Sequence, residues 1–273
     1  MTFLQTFKLV TRNTKNIGAL TVLVQIISAT SVLVLAPFFE WRWPAENDWL
    51  PWFLLGISFV LFAVNDRLDA TTRKYLDISV DTMLHQTYRL LFIPLLIIAF
   101  GISRFSWAAV VGGVIIVIMN MFLLYEKGKF RLNRYVILKL ISVVFFSFAL
   151  ITQMVAVSDF HLPFLVMLSF GVPALLLSGV KQATPKTIIA EIRRPQWWII
   201  IICGVAQMLM TFSLYMAMEL GDRIQVNAIT AIGVLLNTIC AYIFLKERNN
   251  RVVKLIASIV IVASMVLIAT RPF

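Results

Sequence analysis

The sequence predicts an all-α membrane protein: an inverted-repeat helical bundle with nine visible transmembrane helices of a ten-helix plan. Three observations carry that expectation: long apolar runs, the alternation of basic residues between them, and a repeated order of span lengths.

Sixty per cent of the 273 residues are hydrophobic and only 14 % are charged. Soluble domains hold about 45–50 % and about 25 %, so no water-soluble surface can be built over this length. A bilayer core about 30 Å thick takes about 20 helical residues to cross. In chain order the apolar spans are Ile17–Phe38, Leu50–Val64, Ile78–Phe100, Ser106–Tyr125, Tyr135–Ala156, Leu162–Val180, Trp197–Met218, Ile224–Leu245 and Val252–Thr270. The first is too long for a cleaved signal, and no A-x-A site follows it. The third carries Pro94, which removes a backbone hydrogen bond and kinks a helix. In the fourth, Ala108-x-x-x-Gly112 and Ala109-x-x-x-Gly113 allow close helix approach. Pro163 opens the sixth and Pro173 lies within it. Helices are required because the runs do not alternate like barrel strands, and backbone groups in lipid must be satisfied within the segment. Trp41, Trp43, Trp49, Trp52, Trp107, Trp197 and Trp198 fall at or near span ends, where amphipathic rings favour the headgroup layer.

The net charge of +11 does not indicate nucleic acid, because the basic residues form no continuous face. They mark topology instead. Of the 24 Lys and Arg residues, 18 lie on the side that holds the N-terminus and four lie opposite: Arg42, Arg104, Arg223 and Arg271. Arg89 and Lys139 fall within spans. The positive-inside rule then gives a cytoplasmic N-terminus and an external C-terminus, in a cytoplasmic (inner) membrane.

Shifting the chain by 146 positions lays Ile78–Phe100 on Ile224–Lys246 and Ser106–Leu124 on Val252–Thr270. The same shift pairs Leu50–Val64 with Gln196–Met210, and Ile17–Phe38 with Pro163–Thr184. This divides the chain into repeats 1–127 and 128–273, and an odd number of spans per repeat inverts the second. The fifth span has its counterpart mostly before residue 1, matched only by Phe3–Val10. The first helix was therefore lost, or the chain starts downstream of its true beginning; the latter is favoured.

Polar groups deep in a bilayer are expensive and thus candidate functional residues. In the third span Asp81, His85 and Arg89 recur at four-residue steps with Tyr88 on their flank, which on a continuous helix puts them on one face. Arg89 could receive an anionic group through its planar fork, and Asp81 and His85 could relay a proton. The competing reading is an Asp81–His85–Arg89 network that only fixes packing. Gln207, Tyr215 and Asn237 join Arg89, His85 and Tyr88 as substrate-binding candidates, while Gln153, Glu219, Asn120 and Asn227 carry a weaker signal. Glu219 is expected to be solvated, and Lys139 to snorkel to the cytoplasmic end of its span. Cys203 and Cys240 lie alone in apolar runs, and His161 sits in a short outer loop without evident ligand partners. The sequence indicates neither a metal site nor a cofactor. It contains no Gly-rich phosphate loop, H-E-x-x-H or G-x-S-x-G, and its longest loop, Lys181–Gln196, is short and basic.

The stretch from Leu214 to Arg271 carries Tyr215-x-Ala217, a small-residue-rich span, the turn Lys246-Glu247-Arg248 and the closing span Val252–Thr270. It resembles the end of EamA-type proteins of the drug/metabolite transporter superfamily. In the first copy Phe100-Gly101-Ile102 replaces the Lys-Glu-Arg turn. The resemblance implies ten helices in two inverted bundles. It also implies gradient- or proton-linked efflux of small metabolites, amino-acid-like or other small organic solutes, by alternating access, with no enzymatic activity. Its partners would be the lipid bilayer, a small-molecule substrate and a coupling proton. Two alternatives stay open from the residues: a membrane enzyme acting on lipid-linked substrates, for which only Asp77/Asp81 with His85 come close, and a non-transporting assembly subunit.

Overall fold

The computed structural model describes residues 7–8, 10–11, 14, 16–45, 48–89, 91–92, 107–126, 129–130, 133–178, 183–195, 197–221, 226, 229–246 and 250–269. Expectations for Pro94, Arg104, Asn227, Arg223, Arg271 and the Phe100-Gly101-Ile102 and Glu247-Arg248 segments lie outside these residues.

The chain begins with α1 (Ile17–Val32), capped by Asn16, whose side chain accepts from the Ala19 amide at 3.3 Å. A 3-10 turn over Leu33–Phe38 completes the expected first span. Helix α2 (Leu50–Tyr75) starts with Pro at its first turn, where a missing N–H costs nothing. Then come α3 (Ile78–His85), α4 (Trp107–Leu124) and a minimal antiparallel pair, β1 (Tyr125–Glu126) and β2 (Lys129–Phe130). Helix α5 (Arg134–Ala156) is capped by Asn133, which accepts from the Tyr135 and Val136 amides at 2.9 and 3.0 Å. The remaining helices are α6 (Leu162–Ser178), α7 (Pro185–Ile192), α8 (Trp197–Leu220), α9 (Ile232–Phe244) and α10 (Arg251–Ala269). Among the described residues three helical stretches are long and apolar enough to cross a membrane: Ile17–Phe38, Arg134–Asp159 and Trp197–Leu220.

Three expectations need correction. Helix α2 does not end at Val64 but continues through Asp66, Arg67, Asp69 and Arg73 to Tyr75. It continues because its charges are neutralised from within: Arg73 reaches Asp69 one turn back at 2.5 Å, and Lys8 Nζ donates to the terminal carbonyls of Arg73 and Leu76, both at 2.5 Å. A cation on the last carbonyls suits the negative end of the helix dipole. The third span is not one continuous helix. After His85, three i→i−3 bonds follow: Gln86 N to Met83 O, Thr87 N to Leu84 O and Arg89 N to Gln86 O, at 3.0–3.1 Å. Finally, the basic Lys181–Gln196 loop contains a helix, α7, fixed by the Thr184 cap and by Glu191, which is buried and accepts from Thr14 at 2.9 Å.

The helices pack in two connected groups. Helix α2 lies along α5, α1 lies between α6 and α8, and α6 touches α2 and α8. In the other group α4 packs on α10, and α9 packs on α10 and α3. Helix α3 joins them through α5. The contact of α1 with α8 is very close. A Cβ built on Gly204 would stand 2.6 Å from Ile27 Cγ2, and Ser28 Oγ donates to the Gly204 carbonyl at 2.8 Å. At one end of the bundle Trp43 stacks on Trp52 with centroids 5.9 Å apart, and Trp41 stacks on His161 at 4.2 Å.

Candidate functional site

A cavity of about 160 Å³ opens between α1, α2, α5, α6 and α8, reaching the end of α3. Helix α2 gives it one polar stripe: the adjacent pair Asn65 and Asp66, then Asp69 three or four residues on and Arg73 four beyond that, all toward one face. Gln25 of α1 adjoins this stripe, and Ser169 of α6 with Gln207 and Tyr215 of α8 complete the polar lining. Phe62, Phe146 and Phe170 supply apolar surface.

Asp66 sits at the wall with two amides on its carboxylate. Gln25 Nε2 donates at 2.5 Å and Asn65 Nδ2 at 3.0 Å. Asn65 is held in turn by Ser142 Oγ, which donates to its Oδ1 at 2.7 Å. Because only an amide nitrogen can donate to a carboxylate, this contact fixes the orientation of Gln25. Its Oε1 is then buried with no hydrogen-bond partner among the described residues.

Beyond Asp66 lies an ion cluster. Lys139, with no accessible surface, bonds to Asp69 and lies 3.0 Å from Asp81 Oδ2. Arg73 pairs with Asp69 at 2.5 Å and approaches Asp81 at 3.6 Å, and Thr72 donates to Asp81 Oδ1 at 3.2 Å. Lys139 therefore does not snorkel. Two carboxylates inside the bundle hold its ammonium, which offsets the desolvation that snorkelling would avoid. Near the far ends of α5 and α8, Tyr215 donates to Gln153 Oε1 at 2.5 Å, and Gln153 Nε2 donates to Ser169 Oγ. Along α5, Lys139 and Gln153 are 14 residues apart, about 21 Å at the helical rise, so the two polar clusters stand toward opposite ends.

Of the predicted candidates, His85, Gln207 and Tyr215 line the cavity. His85 packs its ring on Phe146 and Tyr88, at 4.6 and 5.3 Å between centroids, and among the described residues its buried Nδ1 has no hydrogen-bond partner. Asp81 belongs to the ion cluster, one step behind the wall. The predicted single face of Asp81, His85 and Arg89 does not form. The tightened turn at Gln86–Thr87 advances the chain by 3.0 rather than 3.6 residues per turn, which rotates Arg89 away. Arg89 instead donates to Thr230 Oγ1 at 2.9 Å and lies over the Tyr88 ring at 4.8 Å. Asn237 lies on α9, outside the cavity wall. Glu219 is exposed and pairs with Arg42 at 2.7 Å. Sequence reasoning missed Gln25, Asn65, Asp66 and Asp69. The signal available for the last three was the helical spacing from Phe62 to Arg73, read across a stretch whose charges suggested a loop.

Residues 133–270, half of the chain, match the EamA-like transporter family. The chain belongs to that family. No curated protein matches it. An EamA-type member of the drug/metabolite transporter superfamily is a multi-pass membrane protein built to move a small solute, and the matched region contributes the α5, α6 and α8 walls of the cavity.

Proposed function

We propose that this EamA-type protein is a secondary exporter of a small organic solute, held in the α1/α2/α5/α6/α8 cavity and released by alternating access. The observation that carries the reading is that residues from both proposed repeats, 1–127 and 128–273, wall one polar cavity inside the bundle. The helix contacts support an inverted pair of repeats. Helix α1 touches its shifted counterpart α6, α4 touches α10, and the third and eighth spans meet as α3 and α9. The contact of α1 with α8 is matched by that of α6 with α2. A substrate site at a repeat interface is the usual arrangement of secondary transporters. The two polar clusters lie where gates would act, the ion cluster at one end and Tyr215–Gln153–Ser169 at the other.

In this reading His85, Gln207 and Tyr215 contact the solute. Arg89, Tyr88 and Asn237 pin the neighbouring helices. Asp81 and His85, one turn apart on α3, handle the coupling proton. The protein resides in a cytoplasmic (inner) membrane. Purified full-length protein in liposomes, given a broad metabolite panel and an imposed proton gradient, is expected to show saturable flux of at least one small solute. Folded protein that moves none of them overturns the proposal and returns weight to a lipid-modifying enzyme or an assembly subunit.

A further inference from the structure

The walls of the cavity are rich in acceptors and already short of free cations. Among the described residues of the cavity and its ion cluster, three carboxylates, Asp66, Asp69 and Asp81, face two cations, Arg73 and Lys139. Both cations bond to Asp69, and both lie at Asp81. Among the described residues, Asp66 accepts only from the neutral amides of Gln25 and Asn65. A carboxylate offers about four lone-pair positions, so two on Asp66 are open. Beside it, Gln25 Oε1 is buried at a residue only 1 % exposed and, among the described residues, has no donor, a condition that is costly in a desolvated site. Charge and hydrogen bonding thus point to the same missing group: one that brings a positive charge and more than one N–H.

We infer that the solute of this cavity is a small protonated amine, its ammonium shared between Asp66 and Gln25 Oε1 and its apolar body lying against Phe62, Phe146 and Phe170. An ammonium has three donors and no acceptor, and aromatic faces attract cations as well as apolar surface. A carboxylate-bearing solute would meet Asp66 as a like charge, with Arg73 already engaged. A dry cavity of about 150 Å³ holds one benzene, so a single ring or a chain of similar volume is the size that fits this conformation.

The inference rests on the cavity being the solute site, and binding measured separately from flux keeps the two apart. Calorimetric titration of the full-length protein in nanodiscs would compare four ring-sized probes: benzylammonium, neutral benzyl alcohol, benzoate and zwitterionic phenylalanine. Benzylammonium is expected to bind at least tenfold more tightly than each of the others. Asp66→Asn should abolish that preference, and Gln25→Met should weaken benzylammonium binding several-fold. The probe comparison needs no variant, so it stands even if Asp66→Asn folds poorly. Equal or tighter binding of benzoate or phenylalanine overturns the inference, as does a benzylammonium preference that survives in folded Asp66→Asn. Amine binding without any flux would count against transport alone. Flux of another solute without amine binding would count against the amine alone.

Discussion

Lys139 carries its ammonium to a place with no accessible surface, between Asp69 and Asp81. Removing one partner of such a cluster strands buried charge and typically costs about 3–5 kcal/mol. Lys139→Met is therefore expected to lower the unfolding temperature in detergent sharply, and adding Asp81→Asn should recover part of the loss. An unchanged unfolding temperature in the single variant would mean that the carboxylates find another counter-charge. At this scale the sequence was only partly legible. His85, Gln207 and Tyr215 could be picked out because a polar residue inside an apolar run stands alone. Asp66 and Asp69 could not, because they follow the apolar run of α2 directly and look like the start of a solvated loop. What keeps Asp69 inside is Lys139, 70 residues further along, and what holds Asp66 is Gln25, 41 residues before it. A pairing at either separation leaves no local trace.

Helices α1 and α8 meet at Gly204, where the Ile27 side chain occupies the volume a Cβ would need. Small residues at membrane helix contacts let backbones approach, and overpacking such a site costs about 1–3 kcal/mol. Gly204→Val should lower thermal stability by that order, and Ile27→Ala in the same chain should restore part of it. A fully stable Gly204→Val would show that α1 and α8 separate easily. The boundaries of α4, α5, α6, α8 and α10 agree with the hydropathy pattern to within two residues, because lipid-length apolar runs leave little freedom in where a helix can stop. The pattern gave no warning that α2 would run on or that the third span would break at Gln86. Those features depend on charge pairing and on side-chain donors, which hydropathy does not weigh.

For the whole molecule, the expected topology rests on the distribution of Lys and Arg, which the nine-span reading puts 18 on one side and four on the other. A reporter fused after Phe273 is expected to be active outside the cytoplasm, and a cytoplasmic C-terminus would overturn the nine-span topology. The proposed repeat rests on an order of span lengths, since identities between apolar residues carry little information. The cavity as an enclosure was not legible, although His85, Gln207 and Tyr215 of its lining were. It is enclosed by five helices and the end of a sixth, and no stretch of sequence holds more than one wall of it.

The tight turn after His85 has a mechanical consequence. Around it, Gln86 Nε2 donates to the Thr82 carbonyl at 3.3 Å, Ser147 Oγ to the Tyr88 carbonyl at 3.1 Å and Asn120 Nδ2 to Thr87 Oγ1 at 2.9 Å. In hydrocarbon, broken backbone is tolerated only where neighbouring groups re-satisfy it. A helix held by its own ladder is a stiff rod, whereas here side chains supply part of the bonding at one point along the axis. The rod has a built-in elbow there, able to flex without exposing bare peptide groups to lipid. His85 stands at the elbow's edge, so bending at that joint moves the cavity wall directly.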